Sequence, residues 1–127
     1  DHLAYRMTLD KSVGPSLGAF LRSERGAALL QRIGVTSEQS EKTALAIHPG
    51  GPNILHHVGK VFETYGWQES ALDHSYATLR SVGNLGAAAM LFVLARSLEK
   101  IDQESLITMA FGPGVTIEWA RLERVAE

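Results

Sequence analysis

Three short segments of this chain carry side chains that could take part in chemistry. One places His48 at the end of an apolar run and before a Pro-Gly-Gly-Pro bend, and a second places Asn84 directly after Gly83. An imidazole and an amide both carry N–H groups, which can stabilise an oxygen on which negative charge develops. The third segment, Phe111–Gly114, lies between two strand-like runs. The chain has no cysteine, which excludes a thiolate nucleophile, a thiolate metal site and a disulfide within it.

Composition and charge narrow the classes of function. The 127 residues are 45% hydrophobic, which fits one globular domain. The net charge is −2 and no basic stripe is present, so we expect neither nucleic acid nor a membrane surface as a partner. The uncharged run at 81–95 is shorter than the about 20 apolar residues that span a bilayer. No signal-like segment begins the chain, so we expect a cytoplasmic location. Because no initiator Met is present, we expect Asp1 to be a cut or trimmed end.

The hydrophobic pattern predicts an α/β domain with four strands and three or four helices. Strands are expected at residues 2–9, 43–47, 106–110 and 115–122, from alternation or short apolar runs. Helices are expected at residues 16–33, 52–65 and 84–98, and residues 73–80 are expected to form a short helix or a turn. Gly26 weakens the middle of the first helix, so this region is either one helix or two shorter ones. The order β-α-β-α-(α)-α-β-β favours a mostly parallel sheet.

The last predicted helix is apolar on every side. Asn84 is a good N-cap, and no polar side chain occurs from Leu85 to Ala95. Such a helix is expected to be buried on every face. Because one sheet can cover only one side of it, we expect this chain to expose an apolar patch when it is alone.

The three segments together resemble the C-terminal half of a type III polyketide synthase of the chalcone/stilbene synthase family. That family has a His-Pro-Gly-Gly-Pro segment, a Gly-Asn that opens a buried helix, and a Gly-Phe-Gly-Pro-Gly loop before its last strand. This chain has His48–Pro52, Gly83-Asn84 and Ala110–Gly114 in the same order, with alanine for the first glycine of the loop. The resemblance implies a thiolase-like fold, in which two similar halves stack as α-β-α-β-α layers. Residues 1–127 would be one C-terminal domain with α-β-α layers, and residues 84–98 would form its buried central helix.

The resemblance also implies the roles of the site residues. In the family, a cysteine of the N-terminal half holds a starter acyl group, and malonyl-CoA loses carbon dioxide to give an enolate. His48 and Asn84 would be the catalytic pair that donates hydrogen bonds to the thioester oxygen of this enolate. The imidazole would also help to keep the cysteine a thiolate. The residues that would shape the substrate pocket are Gly86, Phe111, Gly112, Pro113 and Gly114.

The partners and substrates follow from the same resemblance. The substrates would be an acyl-CoA starter and malonyl-CoA, and neither a metal nor a bound cofactor is implied. The partners would be the N-terminal half that bears the cysteine and, for the whole enzyme, a second copy in a homodimer. The family commonly has serines after its Gly-Asn, where this chain has Leu85-Gly86-Ala87, so the resemblance leaves the starter and the chain length open.

Simpler interpretations of the same residues stay open at this point. His48 could be a core histidine whose ring bonds a backbone carbonyl, and Asn84 would be an N-cap with or without catalysis. Phe111–Gly114 could be an ordinary turn, and the other histidines have no metal-ligand spacing. Two other functions also remain: a ketoacyl-synthase-III-like enzyme, and a catalytically silent split subunit that binds a condensing enzyme.

Overall fold

The structure is a computed structural model that describes residues 8–125 of the chain. In chain order, the α-helices are α1 (Val13–Arg22), α2 (Glu24–Arg32), α3 (Pro52–Glu63), α4 (Asp73–Val82) and α5 (Ala87–Lys100). The strands are β1 (Thr43–Ile47), β2 (Ser105–Gly112) and β3 (Thr116–Glu123). Two short 3₁₀ helices, Ser37–Gln39 and Glu69–Leu72, precede β1 and α4. The strand predicted at residues 2–9 lies outside the described residues, except for Thr8 and Leu9, which are not in a strand.

The three strands form one mixed sheet in the order β1-β2-β3. β1 pairs with β2 in parallel, and β2 pairs with β3 as an antiparallel hairpin. For the described residues, the prediction of a mostly parallel sheet is therefore wrong. The reason is the connection between β2 and β3, because a short turn can join only antiparallel strands, whereas a parallel pair needs a long crossover.

Helices cover both faces of the sheet. On one face, Leu45 and Met109 belong to the larger core cluster, together with apolar side chains of α1, α2 and α3. On the other face, Ala46 and Leu106 form a smaller cluster with Val93 of α5. Both faces of β1 and β2 are covered, so these strands read as nearly continuous apolar runs. The layered α-β-α arrangement predicted from the sequence is confirmed.

The helices of the larger cluster form where the sequence predicts them. α3 begins at Pro52, which suits the first turn because it lacks an N–H group. The apolar stripe of α3 is buried throughout, at Ile54, Leu55, Val58, Val61 and Phe62.

Of the two alternatives for residues 16–33, the structure has two helices. The break falls at Ser23, whose Oγ accepts a hydrogen bond from the Gly26 N–H at 3.2 Å and so caps α2. Gly26 is required for a different reason than helix breaking. A Cβ at this position would lie 2.0 Å from the carbonyl oxygen of Phe20, so no larger residue fits the close approach of the two helices.

α5 is buried on only one face within the described residues. Val93 and Ser97 are buried, whereas Leu91, Phe92 and Leu98 on the other side expose 68%, 45% and 56% of their surface. The predicted central helix therefore has the exposed apolar side that the sequence analysis anticipated. Like the other helices within residues 8–125, α5 is not long and apolar enough to cross a membrane.

The exposed side of α5 predicts self-association of the isolated chain. Leu91→Gln combined with Phe92→Gln should reduce the sedimentation-derived mass toward that of a monomer and lower the binding of a hydrophobic dye. Because both side chains are exposed, the free energy of unfolding should change by only about 0.5 kcal/mol per site. Phe20→Gln is the matched control, since Phe20 is an exposed aromatic on α1, and it should leave the association unchanged. A wild-type chain that is already monomeric and binds no dye would contradict the prediction.

Candidate active site

The parallel pairing of β1 with β2 brings two of the three sequence segments to one edge of the sheet. Ile47, the last residue of β1, lies beside Met109, and the His48 N–H donates to the Met109 carbonyl at 2.8 Å. Phe111 and Gly112 end β2 two and three residues later. The carboxyl ends of neighbouring parallel strands are where open α/β sheets bind ligands.

The Pro-Gly-Gly-Pro bend folds tightly around the His48 ring. The Gly50 N–H donates to the His48 carbonyl at 2.8 Å. A Cβ on Gly50 would lie 3.3 Å from Cδ2 of His48 and 3.0 Å from Cδ1 of Ile54, so the absence of a side chain lets the ring pack closely. Gly51 has φ +152°, a conformation that residues with a side chain rarely adopt. The bend then passes directly into α3 at Pro52.

Asn84 connects the second segment to the first. Its Nδ2 donates to the Gly50 carbonyl at 3.1 Å, and its Oδ1 accepts from the Gly86 N–H at 3.0 Å. The amide nitrogen carries two hydrogens, so the bond to Gly50 uses only one of them. The side chain of Asn84 therefore reaches the bend that follows His48 and holds the two segments together.

The sequence prediction that Asn84 is the N-cap of the following helix is wrong. α5 begins at Ala87, and Gly86 precedes it with φ +62°. The Asn84 oxygen accepts from the residue two positions ahead, which is an Asx-turn and not a helix cap. Gly83, with φ +74°, and Gly86 both adopt conformations that exclude a helix at this point. Asn84 thus lies in a loop between α4 and α5, with its amide free to point toward Gly50.

His48 is buried and has an unsatisfied ring nitrogen. The residue exposes 6% of its surface, and Nδ1 is buried without a hydrogen-bond partner among residues 8–125. A buried polar atom without a partner costs free energy, so such atoms are rare unless they have a functional reason. The interpretation of His48 as a core histidine satisfied by a backbone carbonyl does not hold for Nδ1.

Burial also changes the protonation of His48. Removal from water disfavours the charged imidazolium and holds the pKa of His48 below its ordinary value of 6.5. The neutral ring therefore predominates at pH 7. A neutral imidazole has one nitrogen that donates a hydrogen bond and one that accepts.

The remaining predicted residues form a turn at the same sheet edge. Phe111 is half-buried and packs against the larger core cluster. A Cβ on Gly112 would lie 2.6 Å from Oγ1 of Thr116, so a larger residue there would require the Thr116 side chain to rotate. Pro113 and Gly114 are exposed in the turn between β2 and β3, and Gly114 has φ +74°. Strand pairing thus places these residues near the end of β1, while Gly86 lies before α5 and is held by Asn84.

The described residues form no metal cluster, and two clefts on their surface lie away from His48 and Asn84. Within residues 8–125, no three His, Asp or Glu side chains converge in a way that could hold a metal ion. One cleft lies beyond the end of α5, between Leu98, Leu106 and Arg124. Another lies beside α2, near Ala28 and Tyr65.

Sequence analysis missed one buried residue next to this edge. Ser75 of α4 is fully buried, and its Oγ accepts from the Ile47 N–H at 3.2 Å and donates to the Ile47 carbonyl at 2.6 Å. Its position in a polar stretch of a short helix gives no sign of this contact. A buried serine on the inner face of α4 could have been suspected only from the helical spacing to Leu72 and Leu79.

A comparison with protein-family models identifies the class of protein to which this chain belongs. Residues 22–126 match the model of the C-terminal domain of chalcone and stilbene synthases. The chain belongs to this family, as the resemblance of its three segments predicted.

Curated relatives are similar to the chain over part of its length. It is 37% identical over 79 residues to the type III polyketide synthase pspB of Penicillium soppii, covering 62% of this chain and 19% of the relative. It is 36% identical over 78 residues to 1,3,6,8-tetrahydroxynaphthalene synthase of Streptomyces peucetius subsp. caesius, covering 59% of this chain and 20% of the relative. The matched regions thus make up about a fifth of the length of these relatives.

Solved structures share the fold. The C-terminal type III polyketide synthase domain of Steely1, a type I/III hybrid from Dictyostelium, matches with a TM-score of 0.75 and 22% identity, covering 95% of this chain and 33% of that chain. A polyketide synthase of the brown alga Ectocarpus siliculosus matches with a TM-score of 0.69 and 20% identity, covering 93% and 32%. The predicted fold class, the C-terminal part of a thiolase-like α/β fold, is confirmed.

The lowered pKa of His48 predicts how stability depends on pH. Below about pH 6.5 the unfolded chain binds more protons than the folded chain, so the stability that is present above pH 6.5 is lost as the pH falls toward the lowered pKa. His48→Gln should flatten this dependence, because glutamine does not titrate. Urea unfolding between pH 5.5 and pH 7.5, in the Leu91→Gln/Phe92→Gln background that limits association, measures it. His56→Gln, at an exposed position, is the control and should leave the pH dependence of the unfolding free energy unchanged. An equal pH dependence with and without His48 would contradict the lowered pKa of His48.

Proposed function

We propose that this chain supplies the His–Asn half of the active site of a type III polyketide synthase. One pair of contacts supports it most. His48 is buried with an Nδ1 that is unsatisfied among the described residues, and the Asn84 amide donates to the Gly50 carbonyl, two residues after the histidine. Both lie at the carboxyl end of β1, beside the end of β2. Membership in the chalcone and stilbene synthase family supports the proposal of this chemistry for the pair.

The proposed reaction is the decarboxylative condensation of malonyl-CoA with an acyl-CoA starter. The bond between the malonyl carboxylate and its α-carbon breaks, carbon dioxide leaves, and the electron pair is delocalised onto the thioester oxygen. The α-carbon then attacks a starter acyl group held on a cysteine, and the cysteine leaves as a thiolate. Since this chain has no cysteine, the nucleophile is supplied by an N-terminal half.

His48 and Asn84 act on the oxygen where negative charge develops. Each donates one N–H group, and two preorganised donors stabilise an enolate more than water does. His48 is buried, whereas Asn84 is exposed among the described residues, so the N-terminal half would have to cover it. The lowered pKa of His48 favours this role, because a neutral imidazole donates its hydrogen bond without releasing a proton. The amide of Asn84 is neutral at every physiological pH, and its second hydrogen is available beyond the bond to Gly50.

The remaining parts of the proposal concern the pocket and its cover. Gly86 and the turn Phe111–Gly114 form part of the substrate pocket, since both lie near the same sheet edge. The exposed side of α5, with Leu91 and Phe92, packs against the N-terminal half. We further propose that the whole enzyme is a cytoplasmic homodimer. Acyl-CoA and malonyl-CoA are the substrates, and no further cofactor is proposed.

The first test uses the 127-residue chain alone. Without a cysteine it should form no acyl-enzyme and release no CoA from malonyl-CoA above the uncatalysed rate. A thiol-reactive colorimetric assay for free CoA and intact-mass spectrometry measure the two outcomes. CoA release by the pure chain would show that the nucleophile does not come from another segment.

The second test uses the polypeptide from the full reading frame that encodes this chain. His48→Ala and Asn84→Ala should each lower malonyl-CoA decarboxylation by about 10²–10³-fold, because each removes one donor to the enolate oxygen. Acylation of the cysteine should survive better in the Asn84 variant, since only the imidazole also supports the thiolate.

Matched controls come from α3, the helix that follows the bend after His48. Asn53→Ala removes an exposed amide that bonds the Lys11 carbonyl at 2.9 Å, and His56→Ala removes an exposed imidazole of α3. Both should keep the wild-type decarboxylation rate. If His48→Ala and Asn84→Ala kept it as well, or if the reading frame began just before Asp1 with no cysteine-bearing segment, the chain would fit a silent binding subunit instead.

A further inference from the structure

One edge of β1 faces away from β2, and side chains, not another described strand, bond its peptide groups at both ends. Because the N–H of His48 points toward β2, the N–H and carbonyl of the preceding residue, Ile47, point the opposite way. Ser75 occupies this side and bonds both groups, at 3.2 Å and 2.6 Å. At the start of the same strand, the Trp67 indole N–H donates to the Thr43 carbonyl at 2.8 Å.

The contact of Ser75 is unusual among the hydroxyls of α4. The other buried hydroxyl of this helix, on Thr78, donates to the His74 carbonyl of the same helix at 2.9 Å. The Ser75 hydroxyl instead bonds the peptide groups of β1, as a neighbouring strand would. Since Pro49 has no N–H and the bend follows at once, Ile47 is the last residue of β1 whose peptide groups can be fixed from this side.

α4 also leads directly to the second residue of the pair. The helix ends at Val82, Gly83 follows, and Asn84 then donates to the Gly50 carbonyl. One short helix is therefore attached to the site at two points, at Ile47 through Ser75 and at Gly50 through Asn84. Leu79 and Tyr76 of the same helix pack against the larger core cluster, which limits its movement.

We infer that Ser75 is a positioning residue that fixes the backbone before His48 relative to Asn84. It does not reach the substrate; it sets the distance between the two donors by clamping α4 to the end of β1. The inference rests on the proposed function, because losing the Ser75 contact lowers the reaction rate only if His48 and Asn84 are the catalytic donors. Misplacement by about 1 Å at such a site can reduce the rate about 100-fold.

The test measures malonyl-CoA decarboxylation by the full-length enzyme that contains this chain. Ser75→Ala should lower kcat by about 10- to 100-fold with little change in KM, because substrate binding does not depend on the spacing of the two donors. Ser75→Thr keeps the hydroxyl and should recover most of the rate. Thr78→Val removes a buried hydroxyl from the same helix without touching β1, so it should retain the wild-type kcat.

A second readout follows the His48 ring itself. In enzyme with isotope-labelled histidine, the His48 signal is the one that disappears from the NMR spectrum of His48→Gln. It should shift in Ser75→Ala and stay in place in Thr78→Val. If Ser75→Ala does not fold, Ser75→Cys replaces it, since a thiol is of similar size but a weaker hydrogen-bonding group.

The outcomes separate this inference from the proposed function. A folded Ser75 variant with wild-type kcat and an unmoved His48 signal would overturn the inference, and so would an equal loss of kcat in Thr78→Val. If His48→Gln itself kept full decarboxylation, the proposed function would fail. The His48 signal would then decide alone whether Ser75 positions the ring.

Discussion

The parallel pairing of β1 with β2 is the constraint on which the rest of the molecule depends. It places the end of β1 beside the end of β2, and the His48 N–H closes that pairing on the Met109 carbonyl. The intervening chain must return to the opposite end of the sheet, where β2 begins, and it does so through α3, α4 and α5. Those helices contribute to both covering layers and bring Asn84 back to the edge from which the crossover began. A change that shifted the β1–β2 register would therefore move the histidine, the bend and the hairpin turn together.

Small residues at this edge have separate and local reasons. Gly50 makes room for the His48 ring, Gly51 adopts a conformation with φ +152°, and Gly112 avoids Thr116 in the hairpin. None of these reasons involves a bound substrate. The same glycines can therefore belong to a catalytic motif and be favoured by the backbone geometry, so the functional and the structural interpretations are compatible. His48 differs, because its buried and unpartnered Nδ1 has no structural benefit within the described residues.

Much of the fold could be predicted from the sequence because it follows from local pattern. The apolar run of β1, the stripe of α3 and its start at Pro52 each need only periodicity and one special residue. The apolar character of α5 predicted an exposed face for the same reason. The site was predicted only through the three segments and the family resemblance. The structure adds the bond from Asn84 to Gly50 but leaves the catalytic roles as proposals.

The misses share a physical cause, since each depends on tertiary geometry. Asn84 fits both a helix cap and an Asx-turn, and the positive φ angles of Gly83 and Gly86 decide between them. The clamp of Ser75 depends on which edge of β1 the helix passes, and no local pattern encodes that.

The closed edge of β1 also bears on the order in which the chain is synthesised. Trp67 and Ser75 leave the ribosome soon after β1, whereas β2 follows only after α5. In a growing chain, β1 would otherwise present two unpaired edges, and unpaired edges recruit strands of other molecules. The indole of Trp67 and the hydroxyl of Ser75 can bond peptide groups at both ends of one of them before β2 exists. Among the described residues, the edge of β1 that then stays unpaired is the one that β2 will occupy.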